Sequence, residues 1–182
     1  MTTKKKYSIK ASSYIINLLG DELIGSDSLA LFEIVKNSYD ADSKIVVIHL
    51  NHILSSDGNI IVEDMGNGMT PDVIENAWLT IGTDYKRKEL KQSPIFHRTS
   101  LGNKGVGRLA AYRLANKIKV ETQPRDDMFG SMLTINWKSL VRGGSSIDDL
   151  AVDVEHGLTN LIGCSVRCSE KQMLKSPVKL LI

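Results

Sequence analysis

Two glycine-rich turns constrain this chain most, because each stands at a junction between regular elements and leaves main-chain groups open to a ligand. The first, VEDMGNGM at residues 62–69, directly follows a β-branched run. Gly66 and Gly68 permit close backbone approach and positive φ there. Asp64, at the strand end, can accept a hydrogen bond from an amino group, and Met69 offers a flexible apolar surface. The second turn, LGNKGVGR at residues 101–108, opens a helical run. Free N–H groups at a helix start attract phosphate, and glycines let its oxygens come close. Lys104 and Arg108 add positive charge. No Lys-Ser/Thr pair follows the last glycine, and the turn follows a loop rather than a strand. It is therefore neither a P-loop nor a dinucleotide fingerprint. Each turn alone is also compatible with plain loop chemistry.

Around these turns the periodicity predicts a short helix at 12–20 and a longer one at 27–41, capped by Ser26 or Asp27. Residues 44–50 (KIVVIHL) and 59–63 (NIIVE) read as strands of a hairpin across 55–58. Pro71, after Thr70 as cap, opens a helix to about residue 79. Residues 80–104 lack sustained periodicity and read as one long loop. A helix follows at 105–116, then strand-like runs at 117–122 and 130–137. A Gly/Ser-rich break at 143–146 precedes strands near 150–154 and 163–168. Helices in front and strands behind predict an α+β two-layer sandwich, its helices on one face of a mixed, mainly antiparallel sheet. No linker divides the 182 residues, so a single domain is expected.

Composition narrows the function classes. The chain is 42% hydrophobic and 24% charged, the balance of a globular protein, and no apolar run is long enough to cross a bilayer. Without a signal-like h-region behind its basic start, it reads as cytoplasmic. A net charge of +2 gives no general case for nucleic acid. The basic bias at 4–6 and 86–98 reads as a solvated tail and loop. Cys164 and Cys168 share a strand face about 13 Å apart, too far for a disulfide. His49 and His52 form an HxxH without acidic or thiol company, a poor metal site.

The helix at 27–41 carries a polar stripe. Glu33, Asn37 and Asp40, at i, i+4 and i+7, fall within about 60° of one another. An ordinary amphipathic helix with that stripe in water explains the spacing equally well. A chemical role would need an amide oxygen for Mg²⁺ and a carboxylate one turn away that orients a water.

The order of these stretches distinguishes the readings. EIVKNSYDAD from Glu33, then Asp64-x-Gly66-x-Gly68-Met69, then Gly102-x-x-Gly105-x-Gly107 resemble the N-box and the two glycine boxes of GHKL ATPases. That superfamily includes gyrase B, the chaperone HtpG, MutL, MORC proteins and histidine kinases. The resemblance covers residues from about 10 to 170 and implies the Bergerat fold. It implies ATP and Mg²⁺ as ligands, with Glu33 as general base and Asn37 as magnesium ligand. Asp40 would line the nucleotide pocket. Asp64 would recognise adenine, with Gly66, Gly68 and Met69 around the base. Gly102, Lys104, Gly105, Val106, Gly107 and Arg108 would wrap the phosphates. Residues 80–104 match the ATP lid, with Thr83 and Lys86 as further phosphate contacts. Glu33 sets the chain apart from histidine kinases, which generally lack that glutamate, and brings it toward the HtpG, MutL and MORC branches.

There are two departures. Cys164 follows Gly163 where the family often has threonine; a thiol is the weaker partner for the base, and Ser165 is the candidate to compensate. Hydrolytic branches also take a phosphate-binding Lys or Arg from a following transducer domain, whereas this sequence stops at Ile182. The chain is therefore expected to be the N-terminal part of a longer protein. The functional expectation is slow, magnesium-dependent ATP hydrolysis driving lid closure and homodimerisation as a conformational switch, in a chaperone-like, DNA-transacting or phage-defence process. Protein or DNA partners would act through later regions, and no membrane is involved. The alternatives are a nucleotide-gated interaction module without significant hydrolysis, and a nucleic-acid-binding domain using the basic loop.

Overall fold

The computed structural model describes residues 24–80, 92–101, 107–137, 151–161 and 163–170. The helix expected at 12–20 and the break at 143–146 lie outside them. Helix α1 (Asp27–Asp40) starts where Ser26 caps it, the Ser26 hydroxyl accepting from Leu29 N at 3.1 Å. It ends in a Schellman-type turn: Ser43 N donates to Ser38 O at 3.0 Å and Asp42 N to Tyr39 O at 3.1 Å. The left-handed residue of that turn is Asp42, with φ 60°, where glycine is usual.

Strands β1 (Val46–Asn51) and β2 (Asn59–Asp64) form the expected hairpin. Helix α2 (Pro71–Val73) has Thr70 as cap and continues as a π-turn through Ile74–Trp78. Helix α3 (Gly107–Leu114) leads into β3 (Lys117–Thr122) and β4 (Gly130–Asn136). Strands β5 (Val154–Leu158) and β6 (Cys164–Ser169) complete a sheet of order β1-β2-β6-β3-β4-β5, every pairing antiparallel. Most boundaries agree within a residue, but helix α3 ends at Leu114 rather than 116, and two strands begin later than expected. Strand β1 begins at Val46 rather than 44, because the turn after α1 occupies residues to Ile45, whose carbonyl takes the Ser43 hydroxyl. Strand β5 lies at 154–158 rather than 150–154. Its VEHGL sequence has little strand propensity, and pairing with β4 across a register shift at Gly130 sets its position instead.

Side chains alternate across the pleat, so register stacks them in rows. Ile60, Cys168, Ile118 and Ile135 make one row facing the helices; Val62, Val166, Val120 and Leu133 make the next. Ala30, Leu31 and Ile34 of α1, with Ala110, Ala111 and Leu114 of α3, close the core against these rows. The opposite face is polar, with Glu63, Ser165 and Glu121 side by side. This is the expected two-layer sandwich. The buried Arg113–Asp27 ion pair, at 3.0 Å, joins the end of α3 to the start of α1. Because α1 and α3 pack along each other, they run antiparallel. Both cysteines are free, and no described helix is long and apolar enough to cross a membrane.

Ile118, fully buried on the central β3, should be the sheet's most sensitive position. Ile118→Ala is expected to cost about 2–5 kcal/mol in a denaturant melt, and Lys119→Ala on the outer face well under that.

Candidate functional site

The apolar rows give way to a polar one at one end of the sheet: Asp64, Cys164, Thr122 and Ser131, adjacent in register on the helix-facing side. Asp64 is buried, and each oxygen takes one donor. Ser38 Oγ of α1 donates to Oδ2 at 2.8 Å, and Gly66 N donates to Oδ1 at 2.8 Å. Burial raises its pKa above the usual carboxylate value, against the lowering effect of those two bonds. Lone pairs remain on both oxygens for a further donor. The Cys164 thiol is pushed up to about 12, first by burial and then by the Asp64 charge, so it stays neutral. Ser165 cannot take over from it: its side chain lies between Glu63 and Glu121 on the outer face. The hydroxyl beside Cys164 on the correct face belongs to Thr122, which sequence reasoning missed. It accepts from Met69 N at 2.9 Å and donates to Gly163 O at 3.3 Å.

The 65–69 loop is pinned from two sides. Asn67 N donates to Ala41 O at 2.7 Å, and Met65 N to Ser43 Oγ at 3.0 Å, both just past α1. From the other side Arg125 N donates to Asn67 O at 3.0 Å. Both expected glycines are required. A Cβ on Gly66 would lie 2.5 Å from Ala41 O, and one on Gly68 (φ +66°) only 1.9 Å from Gln123 O. Met69 packs against the core from the same loop.

On α1 the stripe sits beside the Ser38 face. Asn37 is exposed, and its side-chain amide takes no partner among the described residues. Glu33 is not open: Lys36 Nζ lies 2.8 and 3.0 Å from its two oxygens. Asp40 turns to the segment at 92–101, accepting from Leu101 N at 2.8 Å and Ser100 Oγ at 3.0 Å. Arg98, read from sequence as part of a solvated basic loop, instead donates to Ser43 O at 2.8 Å and Tyr39 O at 3.2 Å.

Of the second glycine turn, Gly102, Lys104, Gly105 and Val106 lie outside the described residues, as do Thr83 and Lys86. Gly107 begins α3, and nothing is described of the Arg108 side chain. With Arg113 at Asp27 and the two helices antiparallel, the start of α3 lies farther along α1 in the direction of Glu33 and Asn37. No group of three or more His, Cys, Asp or Glu among the described residues could hold an ion, so a metal here would have few protein ligands, with the Asn37 amide oxygen open to it and the Glu33 and Asp40 carboxylates already hydrogen-bonded. That suits magnesium, which completes its octahedron from water and phosphate. His49 pairs with Glu63 at 2.8 Å on the surface.

Two substitutions probe this end of the sheet. Asp64→Asn removes a buried charge whose raised pKa opposes folding at neutral pH. Its melting temperature should match or exceed that of the parent at pH 7. The difference should shrink as pH falls and Asp64 takes up its proton. Gly68→Ala should cost more than about 1 kcal/mol, through left-handed φ and the Gln123 clash together.

The sequence model of the family described as histidine kinase-, DNA gyrase B-, and HSP90-like ATPase matches residues 26–161. The chain is also similar to a putative type II restriction enzyme, HgiDII, of Herpetosiphon aurantiacus. The two are 28% identical over 114 residues, a stretch covering 63% of this chain and 18% of that relative.

Proposed function

The chain belongs to the histidine kinase-, DNA gyrase B- and HSP90-like ATPases, and from that premise we propose that it is a magnesium-dependent, ATP-operated switch that hydrolyses its nucleotide slowly. ATP binding is the property the family match supports directly. The observation that carries the rest is the meeting of a buried, doubly hydrogen-bonded Asp64 with the turn of α1 that also presents Asn37. The adenine amino group donates to Asp64, with the 65–69 loop alongside the base. The phosphates extend toward the start of α3, where free backbone N–H groups and Gly107 receive them. Asn37 would hold magnesium, whose charge would offset that developing on the phosphate oxygens.

Glu33, one turn before Asn37, orients the attacking water and takes its proton. For that, Lys36 must release at least one carboxylate oxygen, a small cost for an i,i+3 pair on a helix surface. ATP then favours closure of part of the expected lid and pairing with a second copy; ADP and phosphate release reverse both. Likeness to a putative restriction enzyme favours a DNA-transacting setting over a chaperone-like one.

The Lys36–Glu33 pair also favours a second reading, a nucleotide-gated interaction module with negligible turnover. Phosphate release separates the two. On the first reading Glu33→Ala retains ATP affinity and lowers turnover by about 10²- to 10⁴-fold. Turnover equal in both proteins would reject Glu33 as the base, and none in either would leave the module.

A further inference from the structure

The segment at 92–101 was expected to belong to a lid, yet it is tied to the C-terminal turn of α1 at three places. Asp42, buried at the left-handed position of that turn, accepts from Ile95 N at 2.7 Å and Phe96 N at 3.4 Å. An aspartate there is somewhat strained relative to glycine, and its carboxylate supplies hydrogen-bond acceptors that glycine lacks. Arg98 donates to the carbonyls of Tyr39 and Ser43 while its guanidinium lies 4.6 Å from the Tyr39 ring centre and 4.5 Å from that of Phe96. Asp40 holds Ser100 and Leu101. The segment is braced internally too, with Ser93 N donating to Arg98 O and Arg98 N to Ser93 Oγ, both at 2.8 Å.

The same short stretch, residues 38–43, also holds the first glycine turn. Ser38 Oγ donates to Asp64, Ala41 O accepts from Asn67 N, and Ser43 Oγ accepts from Met65 N. Along 38–43, Ser38 and Ala41 contact the glycine turn, Tyr39, Asp40 and Asp42 contact 92–101, and Ser43 serves both. Anything that shifts this turn shifts both attachments together.

We propose that residues 92–101 are a fixed strut that sets the position of the base-recognising loop, with Arg98 as its positioning residue. The proposal rests on the reading of Asp64 as the adenine partner. It removes 92–101 from whatever part of the expected lid responds to the γ-phosphate. A strut acts on the base, so its loss is felt by every adenine nucleotide. A lid segment acts on the γ-phosphate, so its loss is felt by ATP alone.

Calorimetry with magnesium on the intact chain distinguishes these, using ADP, GDP and a non-cleavable ATP analogue. Arg98→Ala is expected to weaken ADP and the analogue by the same factor, about tenfold for two lost charge-assisted hydrogen bonds. It should also narrow the preference for ADP over GDP, which general loosening would leave unchanged. Arg98→Lys, which keeps charge but not the stacked planar fork, should recover only part. Loss confined to the analogue would overturn the strut in favour of a lid, and unchanged affinities would overturn it outright. Should Arg98→Ala fail to fold, Phe96→Leu, which removes one stacking face, decides by the same ratios. Asp64→Asn is the control for the underlying reading: if it binds ADP like the parent, that reading fails whatever Arg98 does.

Discussion

A carboxylate buried at the end of a sheet is costly unless it is hydrogen-bonded, and the site is organised around meeting that requirement for Asp64. One donor comes from α1 and one from the glycine turn, so the helix layer, the sheet and the loop have to meet at that point. The apolar rows behind it need no such precision and tolerate ordinary repacking. The polar row does not: Asp64, Cys164 and Thr122 are register neighbours, and a slip of one residue would turn all three to the outer face. Core and site are thus set by one register, with hydrophobicity fixing the face and the carboxylate fixing the end.

The turn that closes α1 joins local chain chemistry to this site. A helix end leaves carbonyls without partners, and here they are used rather than solvated. Tyr39 O, Ala41 O and Ser43 O accept from two different loops. Asp42 is held ionised more firmly than usual: burial opposes its charge, but Ser93, the N–H groups of Ile95 and Phe96 and the charge of Arg98 outweigh it and lower its pKa. The stability it contributes is present above the ordinary aspartate pKa and drains away as pH falls through the lowered folded value. Asp64 has the opposite sign, so acid loosens one side of the turn while relieving the other.

Local signals were legible in the sequence. The limits of α1, the Thr70 cap, the first hairpin and β3 each followed from periodicity or punctuation a few residues long, and the structure agrees. So did Asp64 at a strand end with its glycines. What escaped was nonlocal. Strand β5 is positioned by its partner rather than by its own composition. Thr122 looked like the last residue of a strand until register put it beside Cys164. Arg98 looked like one more charge in a basic loop, because nothing in its neighbourhood announces two carbonyls more than fifty residues earlier. One clue was available: aspartate rather than glycine two residues past the end of α1, where a left-handed turn is due.

Cys164 carries a consequence for the chemistry this pocket will tolerate. Alkylating agents and peroxides attack the thiolate, and a thiol held near 12 offers almost none at neutral pH. The sulfur beside the buried carboxylate is therefore a quiet apolar surface, indifferent to the redox poise around it. A covalent inhibitor designed against this cysteine would find almost no thiolate, because burial, the larger cause, holds the thiol neutral even apart from the neighbouring negative charge.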